Sequence, residues 1–221
     1  MERNIQLTED GSYTVAIPEM RVTYHSNRGA LQESNHIYIN TGFLYALPNI
    51  TDKTIAVFEM GFGTGLNALL TLQEAMRLRR KIYYFTAELY PLSIQEAKAL
   101  QQDELLNTAG LSLALHQAPW EQDVTINDYF ILHKTKQSLL DLTLPQQFHV
   151  AYFDAFAPTV QPELWTESVF AKQYLQLKEG GVLVTYSSNG AVRRAMKAAG
   201  FSVEKLQGPI GKAEIVRATK K

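Results

Sequence analysis

Thr54-Ile55-Ala56-Val57-Phe58-Glu59-Met60-Gly61-Phe62-Gly63-Thr64-Gly65-Leu66-Asn67 is the stretch that decides how the chain reads. A short apolar, β-branched run (Thr54–Met60) ends in three alternating glycines (Gly61–Gly65). Leu66–Arg80 then places Leu66, Leu69, Leu70, Ala75 and Met76 at helical spacing. Arg77, Arg79, Arg80 and Lys81 close it where cations complement the helix dipole. Strand, glycine loop and helix in that order form the setting of a nucleotide-binding loop, because glycines admit a ligand close to the backbone and the helix N-terminus presents amides. Three readings of the loop stay open: a tight turn, a dinucleotide site, and a site for a cationic ligand. Gly63-x-Gly65-x-x-Ala68 meets the dinucleotide spacing. Glu59 opposes it, since a carboxylate beside a pyrophosphate is unfavourable. S-adenosyl-L-methionine (SAM) carries a sulfonium and an ammonium and no phosphate, so acid-x-Gly-x-Gly-x-Gly favours SAM, with Thr64 and Asn67 among the residues facing it. Glu88 ends the next strand, Ile82–Glu88, where an acid accepts both ribose hydroxyls; NAD sites share this feature.

Working outward, strand and helix signals alternate. Pro91 stands in the first turn of an expected helix Leu92–Gln102. Leu111–His116 reads as a third strand, and residues 117–147 as a loop or strand followed by a helix around Thr135–Leu142. Phe148–Phe153 is a strand closed by Asp154, and Glu167–Leu177 a helix. Gly180-Gly181 precedes a strand Val182–Tyr186. Ala191–Ala199 is a helix stopped by Gly200, and Phe201–Leu206 with Ala213–Ala218 reads as an antiparallel hairpin. The expected fold is α/β, a mostly parallel doubly wound sheet ending in an antiparallel hairpin, as in Rossmann-like class I SAM-dependent methyltransferases. Residues 51–221 form that domain. Residues 1–50 read as a small β-rich extension packed on it, with Ile5–Leu7 and Tyr13–Ile17 flanking Asp10-Gly11 and further β-prone runs at Arg21–Tyr24 and His36–Asn40.

Composition narrows the chemistry. The chain has 221 residues and no cysteine, which excludes disulfides, cysteine-ligated metals and cysteine nucleophiles. No apolar run approaches the roughly 20 residues of a membrane span, and the N-terminus lacks a signal-peptide layout, so a cytoplasmic protein with no membrane partner is expected. The histidines show no metal-ligand spacing, so no metal is expected, and no Gly-x-Ser-x-Gly supports a hydrolase. The net charge of −1 conceals a polarity. Residues 191–221 hold eight Lys and Arg against two Asp and Glu, whereas the rest of the chain is acidic. A local basic surface suits a phosphate backbone; Lys220-Lys221 read as a frayed end.

Asp154, at the carboxyl end of an apolar strand in Tyr152-Phe153-Asp154-Ala155-Phe156-Ala157-Pro158, falls in the ligand crevice of an open α/β sheet. A carboxylate there can orient an amine and accept its proton. Trp165 and Phe170 read as core anchors. Three long segments resemble the methyltransferase domain of the MnmC family: residues 59–67, Asp-Ala-Phe-Ala-Pro-x-x-x-Pro-Glu-Leu-Trp-Thr-x-x-x-Phe (154–170), and Gly-Gly-x-Leu-x-Thr-Tyr-Ser-x-x-Gly-x-Val-Arg-Arg-x-x-x-x-Ala-Gly-Phe (180–201). Tyr24–Ser34 is similar to that family's N-terminal segment. The resemblance spans about residues 20–217 and implies N-methylation of the 5-aminomethyl group of the wobble (thio)uridine, in the anticodon region of tRNA, giving 5-methylaminomethyl-uridine. It implies that Glu59, Gly61, Phe62, Gly63 and Gly65 hold SAM, that Glu88 holds its ribose and that Asp154 is catalytic. It also implies that Tyr24, Asn27, Phe156, Arg193, Arg194 and Lys212 face the substrate.

Two departures accompany the resemblance. Two-domain members add an FAD-dependent oxidoreductase domain, so the expectation here is the stand-alone form, with a separate oxidoreductase or another enzyme supplying the aminomethyl precursor. Those members also carry an acid after the third strand, whereas the comparable stretch Tyr129–Lys134 has none. A methyltransferase acting on a small-molecule or protein amine, an NAD(P)-dependent oxidoreductase, and a module that binds RNA without catalysis remain as alternatives.

Overall fold

The computed structural model describes residues 2–221. The N-terminal segment forms a three-stranded antiparallel sheet of β1 (Asn4–Leu7), β2 (Tyr13–Ile17) and β3 (Val22–Thr23). Helix α1 (Ala30–Ser34) then runs directly into a π-helix, Asn35–Leu44. The strand expected at His36–Asn40 is therefore helical. Alternation of Ile37 and Ile39 with polar neighbours mimicked a strand, but Ile37, Tyr38, Ile39, Gly42 and Phe43 are all buried, because the segment is wedged against the large sheet and its neighbouring helices.

The core is β4 (Thr54–Met60), α2 (Leu66–Leu78), β5 (Lys81–Ala87), α3 (Ile94–Ala99), α4 (Gln102–Leu106), α5 (Leu111–Gln117), β6 (Asp123–Asn127), β7 (Phe130–Thr135), β8 (Phe148–Phe153), α6 (Glu167–Gln176), β9 (Leu177–Thr185), α7 (Gly190–Ala198), β10 (Ser202–Gln207) and β11 (Glu214–Thr219). Its eight-stranded sheet has the order β10-β11-β9-β8-β4-β5-β7-β6. The five central strands from β9 to β7 are parallel, and antiparallel strands close both edges. Strands buried on both faces read as continuous apolar runs, as β4 and β8 do. The π-helix, α2 and α5 cover one face, and α6 and α7 cover the other. Trp165 and Phe170 are core residues on the α6 side.

Three further expectations change. Leu111–His116 is α5, not a strand: its buried Ser112, Leu115 and His116 follow the helical i, i+3, i+4 spacing that alternating leucines disguised. No helix forms around Thr135–Leu142. Strand β7 ends at Thr135 and the residues after it are irregular, with Glu121 taking the Thr135 hydroxyl and the Lys136 amide; the β6–β7 hairpin lies before them. The helix expected over Leu92–Gln102 starts at Ile94, because Ser93 and Glu96 form a reciprocal capping box two residues beyond Pro91.

Gly42 marks how closely the π-helix lies on the sheet: a Cβ there would stand 2.7 Å from Val184 Cγ2 in β9. Gly42→Val should therefore lower unfolding stability by about 1–3 kcal/mol through overpacking, read by urea denaturation. Unchanged stability would show that the π-helix is not clamped there.

Candidate active site

Chain direction places the site. After β4 the next parallel strand, β5, lies on one side and β8 lies on the other, so the carboxyl ends of β4 and β8 flank a topological switch point, where open α/β sheets bind ligands. A cavity of about 440 Å³ opens there, within the roughly 300–1,000 Å³ usual for small-ligand sites. Seven stretches of the chain build its wall: the segment containing Tyr24 and Glu33, the glycine loop with Asn67, the segments around Glu88 and Leu139, and the segments containing Asp154, Tyr186 and Lys212.

The loop is shaped by backbone that only glycine adopts readily. Gly61 and Gly63 have φ of +90° and +50°, and a Cβ on Gly61 would come within 3.0 Å of the Asp154 carbonyl oxygen. Glu88 ties the loop down. Its Oε2 accepts the Gly63 amide at 3.0 Å and its Oε1 accepts the Tyr90 amide at 2.8 Å. A carboxylate has about four acceptor positions, so two stay available toward the cavity. Beneath the loop, the buried Lys134 donates to the Leu115 and His116 carbonyls at the C-terminal end of α5, and its Nζ lies over the Trp120 and Phe62 rings. Burial lowers its pKa to about 8, with Lys136 adding to the effect. His116 in turn donates from Nε2 to the Thr64 carbonyl.

Glu59 does not reach the cavity. It is fully buried below the loop, and neither carboxylate oxygen has a hydrogen-bond partner. Its neighbours are the Tyr84 and Thr86 hydroxyls, also buried. Burial, and then the charge of Asp154, push its pKa well above the usual carboxylate range, while Thr86, Tyr84 and Asn67 oppose the shift. The carboxyl groups that line the wall are Glu33, Glu88, Asp154 and Glu163.

Asp154 sits where the loop side meets the aromatic side. Tyr38, from the π-helix, donates its hydroxyl to Oδ1 at 2.5 Å, and Asn67, at the start of α2, donates Nδ2 to Oδ2 at 2.9 Å. Burial raises the Asp154 pKa from 3.8 to about 7; the charge of Glu33 adds to this, while the two hydrogen bonds and Lys212 oppose it. Burial, with Asp154 again, raises Tyr38 well above its ordinary value, so the phenol stays a donor.

Tyr24 and Phe156 meet edge to face at 5.4 Å and line the cavity with Lys212. Asn27, Arg193 and Arg194 do not line it: Asn27 and Arg194 are exposed, and Arg193 Nε donates to the Ser188 carbonyl. The basic C-terminal tract is partly neutralised within the fold, since Lys205 pairs with Glu214, Arg217 with Glu204 and Lys212 with Glu33. Lys220 is not frayed: it is buried, and its Nζ donates to the Leu177 carbonyl. Sequence reasoning singled out neither Tyr38 nor Glu33 nor Tyr186. Glu33 and Tyr186 fall within quoted family-like segments, whereas Tyr38 lay in the run misread as a strand.

Lys212 is the only Lys or Arg among the described lining residues. The cavity therefore offers a pyrophosphate a single cation, itself paired with Glu33, and offers carboxylates to hydroxyls and positive charge. Among the described residues, no helix is long and apolar enough to cross a membrane.

A protein-family profile described as S-adenosyl-L-methionine-dependent methyltransferase matches residues 94–221. Among solved structures, the chain superposes on MnmC2 of Aquifex aeolicus with a TM-score of 0.77 and 21% identity, covering 100% of this chain and 71% of that one. It superposes on spermidine synthase of Thermotoga maritima with a TM-score of 0.63 and 13% identity, covering 99% and 69%. Both similarities show a shared fold.

The Asp154 environment has a stability consequence. An acid whose pKa is higher in the folded chain keeps a proton that the unfolded chain has released, so its contribution declines as pH rises between 3.8 and about 7. Asp154→Asn should therefore be more stable than the parent at pH 8 by about 2–4 kcal/mol, with the gap closing toward pH 4. Denaturant midpoints across that range test this; a variant less stable at pH 8 would contradict it.

Proposed function

The chain belongs to the S-adenosyl-L-methionine-dependent methyltransferase family, and on that premise we propose that it N-methylates the 5-aminomethyl group of the wobble (thio)uridine of tRNA. When bound, SAM supplies a methyl group on a positively charged sulfur, and transfer leaves a neutral thioether. The residues present fit it: Gly61 and Gly63 bring the loop backbone to the cavity wall, and Glu88 offers free lone pairs to the ribose hydroxyls. Leu89, Tyr90, Ser138, Leu139 and Leu140 line the same cavity, and these largely apolar residues would hold the adenine ring.

One observation carries the reading: Asp154, a carboxylate with a pKa of about 7, stands in the cavity wall with both oxygens already oriented by Tyr38 and Asn67. An alkylamine is protonated at neutral pH and must lose a proton before its lone pair can attack. Asp154, ionised above pH 7, accepts that proton. Fixing the nucleophile against the methyl group supplies the remaining acceleration through orientation. Tyr24 and Phe156 offer aromatic surface to a pyrimidine ring. Arg194 and Lys197, exposed on α7, offer charge to the RNA backbone outside the cavity.

Radiolabelled SAM and tRNA bearing the aminomethyl nucleoside, with mass mapping of the product, test the reading. Transfer to 5-aminomethyl-uridine at the wobble position is expected; tRNA binding without transfer, or transfer only to small amines, would overturn it. Asp154→Ala should lower kcat by about 10²–10⁴-fold while leaving SAM affinity within a few-fold. In the parent protein the rate should fall about tenfold per pH unit below 7 as Asp154 takes up its proton. A flat profile between pH 5.5 and 7 would remove Asp154 from the proton-accepting role.

A further inference from the structure

Lys212 occupies an unusual position. Its side chain ends in a methylene carrying an ammonium, which is chemically an aminomethyl group, and it lines the cavity from the turn between β10 and β11. Its Nζ lies 3.1 Å from Glu33 Oε1 and 4.6 Å from the centroid of the Tyr186 ring. Glu33 is almost entirely buried, and its other oxygen accepts the Ser26 amide at 2.7 Å, so the carboxylate is fixed in place. The Tyr186 ring is fixed too, because its hydroxyl donates to the Ala155 carbonyl at 2.9 Å, next to Asp154. A rigid carboxylate and a rigid aromatic face form a receptor for an alkylammonium.

We propose that Glu33 and Tyr186 are the receptor for the ammonium group of the methyl acceptor, and that Lys212 holds this receptor in the free protein until the acceptor displaces it. The proposal deepens the amine-methylation reading and rests on it for the class of acceptor. Lys212 makes no other ion pair among the described residues, and its side chain is about a quarter exposed, so it can swing outward. The released ammonium then faces solvent beside Arg28, where an RNA phosphate is an alternative partner. Glu33 and Asp154 divide the work. Glu33, paired and hydrogen-bonded, captures the charged acceptor, and Asp154, carrying no cation of its own, takes the proton. An acceptor bearing a hydroxyl in place of the ammonium gains nothing from Glu33, so the receptor selects amines.

Benzylamine, an aminomethyl group on a flat ring, is the probe, with benzyl alcohol as its neutral counterpart. Binding is read by calorimetry on the protein saturated with S-adenosylhomocysteine. Lys212→Met removes the internal competitor and should bind benzylamine at least fivefold more tightly than the parent, with no gain for benzyl alcohol. Adding Glu33→Gln, which keeps an acceptor for the Ser26 amide, should abolish the gain. In the tRNA assay, Glu33→Gln should raise the acceptor KM at least tenfold with a smaller change in kcat, the reverse of Asp154→Ala. Equal benzylamine binding by Lys212→Met and the parent would overturn the proposal, as would an equal gain for the alcohol. Lys212→Met changes a partly exposed side chain, so its result stands even if Glu33→Gln fails to fold. The two readings fail separately: tRNA left unmethylated while benzylamine behaves as expected removes only the RNA acceptor, and tRNA methylated with an unchanged KM in Glu33→Gln removes only the receptor.

Discussion

A carboxylate withdrawn from water must be held by donors or give up its charge, and at Asp154 that requirement binds three distant parts of the chain together. Tyr38 comes from the π-helix, Asn67 from the first turn of α2, and Asp154 from the end of β8. Each element has to sit within hydrogen-bond reach of one side chain. The close approach of Gly61 to the Asp154 backbone follows from the same requirement, since a Cβ would separate β4 from β8 at the point where the cavity opens. The N-terminal segment therefore belongs to the site. It contributes Tyr24, Glu33 and Tyr38, and its wide π-turns present Tyr38 toward the sheet, a use of irregular helix often seen at functional positions.

Four carboxyl groups crowd this region, and their surroundings assign them different states. Glu59, fully buried, has its pKa pushed well above the usual carboxylate range. Asp154, buried but given two donors, titrates near neutrality. Glu33 is matched by Lys212, and Glu88 is occupied by two backbone amides. Separating similar groups by environment is how one site supports both charge recognition and proton transfer.

Much of this was legible in the sequence where the signal is local. The β4–loop–α2 unit is written in an apolar run, three glycines and helical leucines within 25 consecutive residues. The β10–β11 hairpin is legible because no helix fits between its strands. The errors share one cause. At His36–Asn40 and Leu111–His116, alternation of apolar and polar residues imitated a strand, although tertiary burial on several sides imposed helix. Site residues divide in the same way. Asp154 and Glu88 announce themselves by standing at strand ends. Tyr38 and Glu33 acquire meaning only from partners more than a hundred residues away, at Asp154 and Lys212. Glu59 shows the limit most clearly, since its place in the motif was evident but its burial was not.

Both margins of the large sheet are made of antiparallel hairpins, β10–β11 on one side and β6–β7 on the other. The apolar parallel strands are consequently never outermost. The two outermost strands carry exposed charge, Glu204 and Lys205 on β10 and Asp123 on β6. Unpaired strand edges are templates for intermolecular pairing, and charge there blocks it. The hairpins thus protect the chain from self-association, and they matter most during synthesis. β4, β5 and β8 emerge before β9, β10 and β11, so the half of the sheet that bears Asp154 stays open on one side until the last strands arrive to cover it.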